Sequence, residues 1–103
     1  MKTTRAVLVR DGHCRCGECD LRFGLQVHHI RPRTWGGGDE ISNLATVASV
    51  HHPMLIPNGP YALVGNPNLP DGLRMVHIHD LSREEAEQVG LPRSRAGPKR
   101  ATG

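Results

Sequence analysis

The sequence predicts a small α+β domain on three observations: a glycine-ended run near the front that suits a short helix, separated runs of β-forming residues, and a capping box close to the end. Residues 4–11 (TRAVLVRD) read as helix, with Thr3 or Thr4 able to cap its first turn and Gly12 suited to its stop. Segment 25–30 (LQVHHI) reads as strand, limited by Pro32, which has no amide to give a ladder. The triplet Gly36-Gly37-Gly38 makes the next connection a loop. Residues 42–52 (SNLATVASVHH) hold neither Gly nor Pro; with Ser42 or Asn43 as cap and Pro53 as stop, they read as a second helix. On that helix Leu44, Val47, Ala48 and His51 share a face, and His52 is turned about 100° from His51, so the two histidines serve different neighbours. Residues 61–64 (YALV) and 73–78 (LRMVHI) read as a hairpin with a long loop, and Ser82 with Glu85 opens a brief helix ended by Gly90 and Pro92. His77 and His79 are expected to face solvent on one side, and Trp35 to pack or anchor a loop. Residues 1–91 are taken as one domain and the basic stretch 92–103 as a disordered tail.

With 103 residues, twelve glycines, eight prolines and three aromatic residues, the chain has a thin core, and a cross-link would help it fold. The front of the chain lacks the apolar run of a signal peptide, and no stretch approaches the ~18 consecutive apolar residues of a membrane span. A cytoplasmic protein without a membrane partner is therefore expected. In a reducing compartment Cys14, Cys16 and Cys19, crowded into six residues, read as metal ligands rather than a disulfide framework. A net charge of +3 suits a polyanionic partner but decides little by itself.

Taken in chain order, Cys14-Arg-Cys16-Gly-Glu-Cys19, then LQVHHIRPRTWGGGDEISNL, then ATVASVHH resemble the HNH endonuclease family over about residues 5–53. The resemblance implies a ββα-metal fold (HNH, or His-Me finger) with a zinc knuckle, followed here by the C-terminal hairpin and short helix. It implies that His28 and His52 bind one catalytic divalent cation (Mg, Mn, Ni or Zn), that His29 is the general base, and that Asn43 braces the loop of that base. Family members with such knuckles hold a structural zinc through two ligand pairs. In this chain Ala48 stands where a cysteine is expected, so Cys14, Cys16, Cys19 and His51 would supply the four zinc ligands.

Phosphodiester hydrolysis needs such groups on chemical grounds as well. Water must be activated, charge building on the phosphate must be neutralised, and the geometry must be held in line. A neutral imidazole is available near working pH to take the proton. Arg31 and Arg33 stand close to the histidine pair and would contact phosphates, which adds affinity without sequence preference. The resulting expectation is a metal-dependent DNA endonuclease, nicking or cutting both strands with low sequence specificity. A second copy, or a larger phage or mobile-element protein, is the expected further partner. The alternative is a catalytically inactive, zinc-stabilised nucleic-acid-binding module.

Overall fold

Gly12 takes a φ of 72°, and its amide donates to Leu8 O at 2.8 Å, ending the first helix where the sequence places its stop. In this computed structural model, which describes residues 2–17 and 19–91, that helix is α1, Lys2–Asp11. It begins before Thr3 and Thr4, so both threonines lie inside its first turn and cap nothing. The segment 92–103, expected to be a disordered tail, lies outside the described residues.

A cysteine-bearing turn leads to β1, Leu25–His29, which pairs antiparallel with β2, Leu44–Ala48; Leu25 stands opposite Ala48 and His29 opposite Leu44. The expected helix over 42–52 is thus a strand, entered through a 3-10 turn at Ile41–Asn43 and followed by another at His52–Met54. The physical reason lies in what surrounds it. All five residues of β2 are buried, so no polar face alternates with an apolar one to announce a strand. Its backbone is satisfied from outside the hairpin by residues of α1 and the cysteine turn. Asp11 Oδ2 accepts from Thr46 N at 2.8 Å, Arg15 N donates to Thr46 O at 2.9 Å, and Arg10 NH2 donates to Leu44 O at 2.6 Å. Charged groups thereby close the edge that β1 does not cover.

The second hairpin forms as expected, from β3, Tyr61–Gly65, and β4, Leu73–His77, with Tyr61 opposite His77. After a 3-10 turn at Ile78–Asp80 comes α2, Arg83–Val89, opened by a full capping box in which Glu85 N donates to Ser82 Oγ at 3.1 Å and Ser82 N donates to Glu85 Oε1 at 3.0 Å. Gly90 closes it in the left-handed conformation, packed so tightly on Arg31 and the Trp35 carbonyl that a side chain there would collide with both.

The architecture is α+β, with two helices and two antiparallel hairpins. One buried cluster joins both hairpins to α2: Ile30 just after β1, Ala45 and Val47 from β2, Leu55 and Ile56 from the connection, Leu63, Val64 and Val76 from the second hairpin, and Val89 from α2. Arg15 adds a polar tie, pairing with Asp11 on one side and donating to the carbonyls of Pro67 and Leu69 in the long hairpin loop on the other. Among the described residues no helix is long and apolar enough to cross a membrane.

Candidate metal and catalytic site

Strand alternation sends neighbours to opposite faces, which sets a difficulty for two adjacent histidines meant for one site. Here β1 ends at His29, and a cavity of about 470 Å³ is lined by His28, His29 and His52 together. His28 is the buried member, 2% exposed. Its ring meets that of His52 edge-on, with centroids 5.5 Å apart and planes at 85°. Burial, reinforced by the neighbouring His52 and His29, pushes the His28 pKa down to about 3, so this imidazole is neutral at any ordinary pH. Its Nε2 is buried and has no hydrogen-bond partner among the described residues. An orphaned nitrogen on a neutral ring is the form of histidine that binds a cation, and burying it unpaired is costly.

His52 Nδ1 donates to Gln26 Oε1 at 2.6 Å, which fixes the tautomer and leaves Nε2 with the lone pair. Gln26 precedes His28 by two positions and so stands on the same face of β1. The two histidines expected to hold a catalytic cation therefore lie side by side, and the donor set fits a cation with most of its coordination left open.

His29 faces a different set of partners. Its Nε2 lies 2.8 Å from Asp39 Oδ1, and Arg33 NH2 donates to both oxygens of the same carboxylate at 2.7 and 2.8 Å. The hydrogen bonds from His29 and Arg33 hold the Asp39 carboxyl below its ordinary range. Asn43 ties down the loop between the strands: its Oδ1 accepts from Arg31 N at 2.8 Å, while Nδ2 donates to Arg31 O at 3.1 Å and Gly38 O at 2.9 Å. The loop can close this tightly because Gly37 has no Cβ, which would run into the Arg31 carbonyl.

The structure separates the two arginines. Arg33 borders the histidine cavity, whereas Arg31 bonds through Nε to Trp35 O and lines another cavity, of about 750 Å³, beside Arg83, Ala86 and Glu87 of α2. His77, at the end of β4, and His79, in the 3-10 turn after it, stack at 4.9 Å; neither lines the histidine cavity.

A second cluster lies at the cysteine turn, where Cys14 Sγ, Cys16 Sγ and a ring nitrogen of His51 all fall within 4.8 Å of one another. His51 Nδ1 stands 3.4 Å from Cys14 Sγ. Burial and the adjacent Cys14 push the Cys16 thiol up to about 12. Burial also works to raise Cys14, but the Ala48 amide, His51 and the neighbouring cysteines outweigh it and hold that thiol below its ordinary value. Two sulfurs this close cannot both ionise without a counter-charge, and a bound cation of thiolate preference supplies one. Cys19, half-buried, lies outside this group of three atoms, although its thiol interacts with that of Cys14. His51 and His52 do serve different neighbours, as expected, but a turn at the end of β2 separates them rather than a helical rotation.

The family model described as HNH endonuclease matches residues 15–52. Over that stretch the chain is similar to the HNH endonuclease family. No curated protein and no solved structure gives a match. The matched segment contains β1, the glycine loop and β2, and it ends at His52, so the three histidines of the cavity and Cys16 and His51 of the cysteine cluster fall within it. Members of this family use a divalent metal, and nucleic acid is the substrate that a nuclease family implies. Two residues of the candidate site are not picked out by the sequence reading. Gln26 had a signal, its place two positions before His28 on one strand face; Asp39 had only its nearness to Arg33 across the glycine loop.

Proposed function

We propose that this chain is a metal-dependent endonuclease that hydrolyses DNA phosphodiester bonds with low sequence specificity. The observation that carries the reading is the shared cavity of His28, His29 and His52, with the His28 Nε2 buried and unpartnered. His28 and His52 would hold one divalent cation, which when bound neutralises charge on the phosphate and the leaving oxygen. His29 accepts the proton of the attacking water, a task suited to a neutral imidazole. Asn43 keeps the loop that follows His29 in one shape through its three backbone bonds, so the base does not drift from its working position. The exposed Arg33 guanidinium at the cavity rim favours a polyanion without reading bases. Cys14, Cys16, Cys19 and His51 would hold a structural zinc that reinforces a thin core.

Supercoiled plasmid incubated with the protein and Mg²⁺, Mn²⁺ or Ni²⁺ tests the reading. Nicked or linear product is expected, reduced by on the order of 10²-fold or more in His29→Ala. The substitution of Ala48 at an expected zinc-ligand position favours a second reading, a zinc-stabilised module that binds nucleic acid without cutting it. Binding with no cleavage under all three metals would establish that module instead.

A further inference from the structure

Asp39 has no part in the roles assigned so far, yet its Oδ1 lies 2.8 Å from His29 Nε2. A second group competes for that nitrogen, since Arg33 Nε approaches it at 3.4 Å. An ionised carboxylate accepts and never donates, so the shorter contact requires the proton to sit on His29 Nε2. Nε2 then has no lone pair for Arg33, whose guanidinium is committed instead to both oxygens of Asp39, at 2.7 and 2.8 Å. The carboxylate is also fixed through the backbone: Asn43 Nδ2 holds Gly38 O at 2.9 Å, immediately before Asp39.

The ring of His29 borders two cavities. Asp39 lines a cavity with Thr3, Thr4, Val27, Arg33 and His29, and of these Val27, His29 and Arg33 also border the cavity of His28 and His52, which Asp39 does not reach. A neutral imidazole has one nitrogen that donates and one that accepts, and only the accepting nitrogen takes a proton from water. We propose that Asp39, clamped by Arg33, is a positioning residue that holds His29 as the Nε2–H tautomer and leaves Nδ1 to accept the proton from the attacking water. The inference rests on the nuclease reading for its purpose, but the state of the ring is measurable without any cleavage.

The ¹⁵N shifts of the His29 side chain, read in the metal-free full chain at about pH 8, above the ordinary imidazole range, distinguish a proton-bearing nitrogen from one with a lone pair. In the wild type, Nε2 carries the proton and the two shifts stand far apart; in Asp39→Ala they draw together, and in Asp39→Glu they remain apart. With Mn²⁺ and supercoiled plasmid, Asp39→Ala lowers kcat by on the order of tenfold with little change in KM, and Asp39→Glu recovers part of the rate. Wild-type shifts that place the proton on Nδ1, or shifts that Asp39→Ala leaves unmoved, overturn the assignment whatever the cleavage rates. A wild type that cuts under none of the metals overturns the nuclease reading instead, while the ring measurement still decides what Asp39 does.

Discussion

The ring of His52 stands edge-on to the buried ring of His28, 5.5 Å between centroids, although the glycine loop and all of β2 separate them in the chain. Their closeness carries a prediction about acid. The folded protein keeps His28 near 3, largely by burial, while the unfolded chain takes a proton near the ordinary 6.5. Below about 6.5 the unfolded state therefore binds a proton that the folded state refuses, and stability falls by about 1.4 kcal/mol per pH unit until the folded value is reached. Above 6.5 the group contributes no slope. In chelator-treated protein, urea unfolding at about pH 5 compared with pH 7 should show the wild type losing about 2 kcal/mol more than His28→Asn. Equal losses would mean that His28 is not buried as a neutral ring.

Asp11 answers to pH with the opposite sign. Burial alone would raise its carboxyl, but the Arg10 bond, the Thr46 amide and the charges of Arg10 and Arg15 outweigh that and hold it below 3.8. Its contribution is present above the unfolded value and is lost as pH falls through the folded one. Asp11→Ala leaves two guanidinium groups and the Thr46 amide without their acceptor. A loss of about 3–5 kcal/mol in urea unfolding near neutral pH is expected, with Asp11→Asn milder. A loss below about 1 kcal/mol would show that water replaces the carboxylate freely.

These tertiary bonds also explain which parts of the fold were legible. Gly12, Pro32 and the Ser82–Glu85 box are local signals, and α1, β1 and α2 formed beside them. Residues 44–48 carried no local signal of that kind. Their apolar spacing suited a helix, and Asp11, Arg10 and Arg15, far away in sequence, supply the bonds that draw the segment out as a strand. Within the site, the histidines and Asn43 are legible through the HNH resemblance, and the cysteines already through their crowding into six residues. Asp39 and Gln26 belong to neither pattern; their importance comes from the ring nitrogen that each one meets.

Asn43 makes a sharper test of the loop than deletion of any glycine. Asn43→Asp keeps an oxygen for the Arg31 amide but sets a second oxygen against the carbonyls of Arg31 and Gly38, where the native Nδ2 donates. Like poles replace two hydrogen bonds, at a cost of about 1–3 kcal/mol in thermal or urea unfolding. Plasmid nicking measured well below the unfolding temperature should fall along with it, because the loop also carries Asp39. A variant as stable as the wild type would show that the loop holds its shape without the side chain.

The cysteine turn yields the last prediction, and it turns on which sulfurs share a centre. Cys14, Cys16 and His51 converge within 4.8 Å, and Cys16 is driven up to about 12 while it remains a thiol. Zinc would reverse that by supplying the positive charge that two adjacent thiolates need, so its binding energy would become folding energy. Protein purified without chelator is expected to carry one zinc per chain by elemental analysis, and stripping the metal should lower the melting temperature. Cys14→Ser, Cys16→Ser and His51→Ala should each lose the zinc. Cys19→Ser should retain it with weaker affinity, because this thiol stands at the margin of the cluster and a water can take its place in a tetrahedral set. Zinc lost from Cys19→Ser but kept in Cys16→Ser would invert the arrangement and place the centre further along the turn.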